Sequence, residues 1–263
     1  MVAAEAQDPA FTHPPAHSLG GAQVAKTSRP RRVLIIFLDT GGGHRAPAEA
    51  LETAFGEIYP GQVDVTTVDI SDHVPWPCNK FVPFYQYLVA HPMLWRLFWY
   101  SGQFAATKIF LTVLANLWCR DRLCACFEAH DPDLVISVHP LCQELPLRAL
   151  KRIGGGKRRI PFCTVVTDLC SAHPLWFNRG IDRCFVATEV MQRLALGHGL
   201  LPEQVKVLGL PLRRGFWEEP KLPKKALREK LGLTVGARTC LVVGGGEGMC
   251  SLADVARAIT NRL

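Results

Sequence analysis

The chain has 263 residues, a formal net charge of +7, and a hydrophobic content of 48%. That length can bury a sizeable core in one large or two smaller domains, and that composition excludes a disordered protein. Basic residues gather at Arg29, Arg31 and Arg32, across 151–159 and across 213–230. Solvated surface is the plain reading and an anionic membrane or phosphorylated ligand the functional one; no motif for binding nucleic acid accompanies the charge.

Residues 1–30 are rich in Ala, Pro and His and hold no apolar signal core, so they read as a disordered tail or a targeting segment. An apolar run over 33–38 (VLIIFL) has the length and branching of a buried parallel strand. Asp39 and Thr40 end it, Gly41, Gly42 and Gly43 make a turn, and His44 and Arg45 open an Ala-rich helix lasting to about Phe55. A second strand follows over 63–70 (VDVTTVDI).

Residues 71–130 form a long insertion rich in Trp, Tyr and Phe. From 97 to 119 Lys108 is the sole charge, a stretch long enough to span a bilayer. Polar residues at 101–103, Thr107 and Asn116 interrupt it, which favours ordinary helices packing the core or an aromatic face in the membrane interface.

Further strands are expected over 134–138 (LVISV), 161–167 (PFCTVVT), 183–187 and 205–208, with a helix over 189–196. Strands alternating with helices argue for an α/β fold, a doubly wound Rossmann-like parallel sheet over 31–212. Residues 213–237 read as a linker carrying a short helix over 223–231. From 238 to 263 a strand (239–243), a glycine turn and a helix (251–262) read as the first unit of a second Rossmann-like domain.

The ten cysteines include no C-x-x-C pair and suggest a reducing compartment. Cys119, Cys124, Cys126 and His130 come nearest to a metal pattern but lie on one expected helix, so no metal site is expected.

The chemistry concentrates at the first turn. Backbone N–H groups and the dipole at a helix N-terminus disfavour a cation, so an imidazole there stays neutral and can accept a proton. His44 is therefore suited to act as a general base on a hydroxyl, with the glycines leaving room for substrate; a helix-capping histidine without chemistry is the alternative. The second turn, Gly244-Gly245-Gly246-Glu247-Gly248, lacks both the Lys-Ser/Thr of a nucleotide hydrolase and dinucleotide-site spacing. It suits the diphosphate of a sugar nucleotide without a metal.

Taken in order, DTGGGHRAPAEAL, DHVPWPCN, DPDLVISVHPL, VVTDLCSAHPLWF, ATEV, GLPLR and GGGEGM resemble the monogalactosyldiacylglycerol synthases of glycosyltransferase family 28. The resemblance implies a GT-B plan of two Rossmann-like halves, and inverting transfer of a hexose, typically galactose from UDP-galactose, to diacylglycerol. It implies that His44 is the catalytic base and that Gly41, Gly42 and Gly43 let donor and acceptor meet beside it. It places Pro75 and Trp76 on the acceptor side, and His173, Pro174, Trp176 and Phe177 in a lipid-facing loop. It assigns Gly244, Gly245, Gly246, Glu247, Gly248 and Met249 to the donor phosphates. His139 and Asp168 read as structural or supporting residues.

No cofactor is implied beyond the UDP-sugar substrate, and no metal. The expected partners are diacylglycerol, anionic membrane lipids and UDP-hexose, with a homodimer left open. The expected location is the membrane periphery, at the chloroplast envelope in a photosynthetic eukaryote. Cys250-Ser251 departs from the family's Gly-Pro, and little donor-half sequence follows, so this chain alone is expected not to turn over. The alternatives are a non-catalytic lipid-binding short homologue, or a related transferase with another donor or acceptor.

Overall fold

Val33, Ile35 and Phe37 face one side of the first strand, β1 (Arg31–Phe37), while Leu34, Ile36 and the following Leu38 face the other; all six are buried. A strand apolar on both faces belongs in the middle of a parallel sheet covered by helices on each side. The computed structural model, which describes residues 29–40, 42–101, 104–243 and 251–262, bears this out.

After β1 the chain runs through α1 (Gly42–Ile58) to β2 (Val63–Asp69). A one-turn 3-10 helix (Ile70–His73) and a second (Cys78–Lys80) lead into α2 (Phe81–Ala90), α3 (Pro92–Ser101) and α4 (Ala105–His130). Then come β3 (Leu134–Ser137), α5 (Glu144–Ile153), β4 (Phe162–Val165), β5 (Arg183–Val186), α6 (Glu189–Gly197) and β6 (Val205–Val207). The six strands form one parallel sheet in the order β2-β1-β3-β4-β5-β6, the expected Rossmann-like arrangement.

Ala48 of α1 packs on the face shown by Val33, Ile35 and Phe37, with Leu51 and Phe55 beside it. The other face is covered by Leu123 and Phe127 of α4, Leu147 and Leu150 of α5, and Met191 and Ala195 of α6. Asp133 fastens the β3 entry to β1 by accepting from the Arg32 backbone N–H at 2.8 Å and from Arg29.

The order reverses between β1 and β3. The crossover to β2 leaves β1 in one direction, and the rest of the sheet grows in the other. Such a switch point leaves a crevice at the carboxyl ends of the two strands, where ligands bind in sheets of this kind.

The structure bears on three expectations. No helix among the described residues is long and apolar enough to cross a membrane, and α3 ends at Ser101, inside the stretch considered for spanning. Residues 239–243 are not a strand: no described strand pairs with them, and Leu241 and Val243 are exposed. A β segment without a ladder partner leaves its backbone bonds to water, so an apolar run alone does not make one. The first helix starts two residues before His44 and continues to Ile58. Helix α7 (Lys224–Lys230) lies within 223–231, and α8 (Leu252–Thr260) within 251–262. The tail over 1–28, Gly41, and the donor turn with Gly244, Gly245, Gly246, Glu247, Gly248 and Met249 lie outside the described residues.

Candidate active site

The switch-point crevice is furnished by residues just past the ends of three strands. His44 comes from the first turn of α1, Val138 and His139 follow β3, and Thr167 and Asp168 follow β4. His44 Nδ1 lies 2.9 Å from the Val138 carbonyl oxygen and 3.1 Å from Thr167 Oγ1. A carbonyl only accepts, so in the neutral ring Nδ1 carries the proton and Nε2 keeps its lone pair. A base with a fixed lone pair is what proton abstraction from a hydroxyl requires.

Burial lowers the His44 pKa from its ordinary 6.5; the Val138 carbonyl and the Asp168 and Asp39 charges pull upward without overcoming it. Its imidazole is thus neutral at pH 7. The ring is boxed in: His139 stands edge-on with ring centroids 4.3 Å apart, and Trp176 lies at 6.0 Å. Gly43 precedes it with open space: apart from its chain neighbours and the backbone of its own helix, no heavy atom lies within 4 Å of where a Cβ would stand. Gly42 starts α1 beside it.

Arg45, next along the helix, turns its guanidinium over the Phe37 ring and pairs with Asp39 at 2.7 Å. Asp39's backbone N–H donates to Asp69 Oδ2 at 3.1 Å, and Asp69 also accepts from the Ser71 N–H. The exits of β1 and β2 are thereby tied together beneath the crevice.

The HPLWF segment differs from expectation. His173 caps a 3-10 turn (Pro174–Trp176), its Nδ1 accepting from the Leu175 N–H at 3.2 Å, and Pro174 is exposed. That turn carries Trp176 inward, not toward lipid: its side chain is fully buried, and its indole N–H donates to Asp168 Oδ2 at 2.8 Å. Phe177 is buried as well and stacks on His198 at 5.1 Å. An indole with its one donor paired fills a core readily, and here it backs His44. Trp176 therefore joins His44, while Phe177 belongs to the packing behind.

Pro75 and Trp76 leave the sheet after β2, at the same carboxyl edge. Trp76 is 69% exposed, and its carbonyl accepts from the Trp118 indole on α4 at 2.6 Å. Both rings belong to an exposed apolar surface on the insertion that also shows Leu97, Tyr100, Phe104 and Phe110. Cys119, Cys124 and Cys126 are buried on α4, and among the described residues no group of three or more His, Cys, Asp or Glu is placed to hold a metal ion.

Sequence reasoning missed Thr40, Thr167, Gln143 and the Val138 carbonyl. Thr40 and Thr167 carried a faint signal, each being a hydroxyl next to an Asp just beyond an apolar run. A backbone carbonyl carries none.

Comparison with known proteins shows the family. The family model described as monogalactosyldiacylglycerol (MGDG) synthase matches residues 44–212. The chain is 41% identical over 243 residues to "Monogalactosyldiacylglycerol synthase, chloroplastic" of Spinacia oleracea, covering 89% of this chain and 45% of that protein. It is 38% identical over 247 residues to "Monogalactosyldiacylglycerol synthase 1, chloroplastic" of Arabidopsis thaliana, covering 90% and 44%. To "Probable monogalactosyldiacylglycerol synthase 2, chloroplastic" of Oryza sativa subsp. japonica it is 36% identical over 240 residues, covering 90% and 50%. The chain spans about half the length of the curated relatives it matches. Since the match takes in more than half of the chain, the chain belongs to the monogalactosyldiacylglycerol synthase family.

Proposed function

We propose that this chain supplies the acceptor half of a galactolipid-forming transferase, in which galactose passes from UDP-galactose to the free hydroxyl of diacylglycerol. The observation that carries the reading is His44, neutral, with its Nδ1 proton committed to Val138 and its Nε2 lone pair free, in a crevice opened by Gly43. In the reaction Nε2 takes the proton of the diacylglycerol hydroxyl as its oxygen attacks the anomeric carbon from the face opposite the diphosphate. The carbon–oxygen bond to the diphosphate breaks, UDP leaves, and the anomeric configuration inverts. Gly244, Gly245, Gly246, Glu247, Gly248 and Met249 are assigned to the donor phosphates through their backbone N–H groups, without a metal.

The names of the relatives support a chloroplast location. The exposed rings of 76–118 support docking to a bilayer from one side, with Trp and Tyr at headgroup level and Phe and Leu below. Diacylglycerol does not leave the bilayer unaided, so a base for its hydroxyl has to work at the membrane surface.

The test is galactolipid synthesis from UDP-galactose and vesicle-borne diacylglycerol, with the chain joined to the remaining half of the spinach relative. His44→Ala is expected to abolish it by roughly 100-fold or more, the usual worth of a general base. Retained transfer would overturn the reading.

A further inference from the structure

Among the described residues the buried polar side chains are Ser137, His139, Gln143 and Thr164; those of Ser137, Gln143 and Thr164 form one connected group, which reaches the backbone carbonyl of His139. Gln143 is its hub. Its amide N–H group donates to Ser137 Oγ at 3.0 Å and to the His139 carbonyl at 3.1 Å. Its amide oxygen accepts from Thr164 Oγ1 at 2.8 Å, and Ser137 Oγ donates to the His139 carbonyl at 3.2 Å. Satisfied partners let polar groups persist in a core, but they do not explain why the residue whose carbonyl they hold carries a second buried imidazole.

The ring bonds of His139 fix its form. Nδ1 accepts the Leu141 backbone N–H at 3.1 Å, so Nε2 carries the proton and donates it to Thr40 Oγ1 at 3.2 Å. Only the neutral ring makes both bonds, since a proton on Nδ1 would oppose the Leu141 N–H. Burial, with His44 adding to it, keeps the ring neutral far below the ordinary range. Thr40 is the last residue before the glycine turn, so this imidazole ties the exit of β3 to the exit of β1 on the approach to His44. Its own carbonyl is held by Gln143, Ser137 and the Cys142 N–H, which pins the His139–Pro140 peptide, one residue past the Val138 carbonyl.

We propose that His139 is a positioning residue for His44: clamped between Leu141 and Thr40, it walls the His44 ring against the Val138 carbonyl and so keeps the proton on Nδ1. The proposal rests on reading His44 as the base. Capping of the 3-10 turn alone needs only an acceptor at Nδ1, which Asn provides equally well. The Thr40 bond and the edge-on wall at 4.3 Å need the whole imidazole. The charged groups facing His44 are Asp168, beyond β4, and Asp39, beyond β1; both favour its protonated form, so a loosened ring gains protons more readily.

Long-range proton–nitrogen NMR of the labelled chain tests this through His44 itself, with His139→Asn keeping the cap and Thr40→Val removing only the clamp. The unaltered chain is expected to show His44 protonated at Nδ1 and bare at Nε2. In His139→Asn the two nitrogens become mixed and the titration midpoint rises toward 6.5, with a smaller shift the same way in Thr40→Val. Unchanged His44 shifts and midpoint in folded His139→Asn overturn the proposal, and if that variant does not fold, Thr40→Val decides by the same readout. The two readings fail separately: transfer retained by His44→Ala refutes the base, whereas transfer lost there with His44 undisturbed in His139→Asn refutes only the positioning.

Discussion

His44 and Val138 are 94 positions apart in the chain, yet a 2.9 Å bond from the imidazole Nδ1 to the Val138 carbonyl decides which face of the ring is basic. The bond spans the switch point, joining the helix after β1 to the strand end of β3. Asn at position 44 can place an amide N–H near Nδ1 but has nothing at Nε2. His44→Asn is therefore expected to keep urea stability within about 1 kcal/mol while losing roughly 100-fold or more of transfer activity. Equal loss of stability and activity would make the role structural.

Stability should depend on pH through His44 and His139. Burial depresses both pKa values below 6.5, so in mildly acidic solution the unfolded chain takes up protons that the folded chain refuses. Their contribution is complete above about pH 6.5 and is lost as pH falls toward the folded values, at up to about 1.4 kcal/mol per pH unit for each proton. Urea midpoints between pH 7.5 and 5 measure this. His139→Asn, which removes one of the two groups, should flatten the slope.

Trp176 is fully buried with its N–H on Asp168, so Trp176→Ala leaves a large cavity and a carboxylate short of a donor. The expected cost is about 3–5 kcal/mol in equilibrium unfolding. A change below about 1 kcal/mol would mean that the side chain does not occupy the core.

Gln143→Leu matches the volume but strips partners from Ser137 and Thr164, both buried. Leaving those hydroxyls short of bonds is expected to cost about 1–3 kcal/mol. Adding Thr164→Val should recover part of it, and a double-mutant cycle by urea denaturation reads out the coupling.

The exposed rings give the opposite pattern. Phe104 and Phe110 are 67% and 66% exposed, so Phe104→Ser with Phe110→Ser should leave stability within about 0.5 kcal/mol. Flotation with anionic vesicles should fall by roughly tenfold or more, given about 1.5 kcal/mol or more for each ring removed from water. Unchanged flotation would place the membrane contact elsewhere.

Amino-acid order alone specifies the sheet and points to His44. Six apolar runs, each ending in polar or glycine residues, specify the strands of one parallel sheet, β1 among them buried on both faces, and a histidine opening a helix after such a strand is legible without coordinates. It misjudged 239–243, because an apolar run is a strand only when another strand accepts its backbone bonds. It misjudged Trp176, because the sequence shows a ring and not the direction in which a one-turn helix carries it. The state of His44, by contrast, is set by the tertiary fold. Its tautomer depends on a backbone carbonyl from another strand, and its neutrality on burial against His139 and Trp176. Neither a carbonyl's direction nor the exclusion of water is written in side-chain identity; both arise when β1 and β3 are placed side by side.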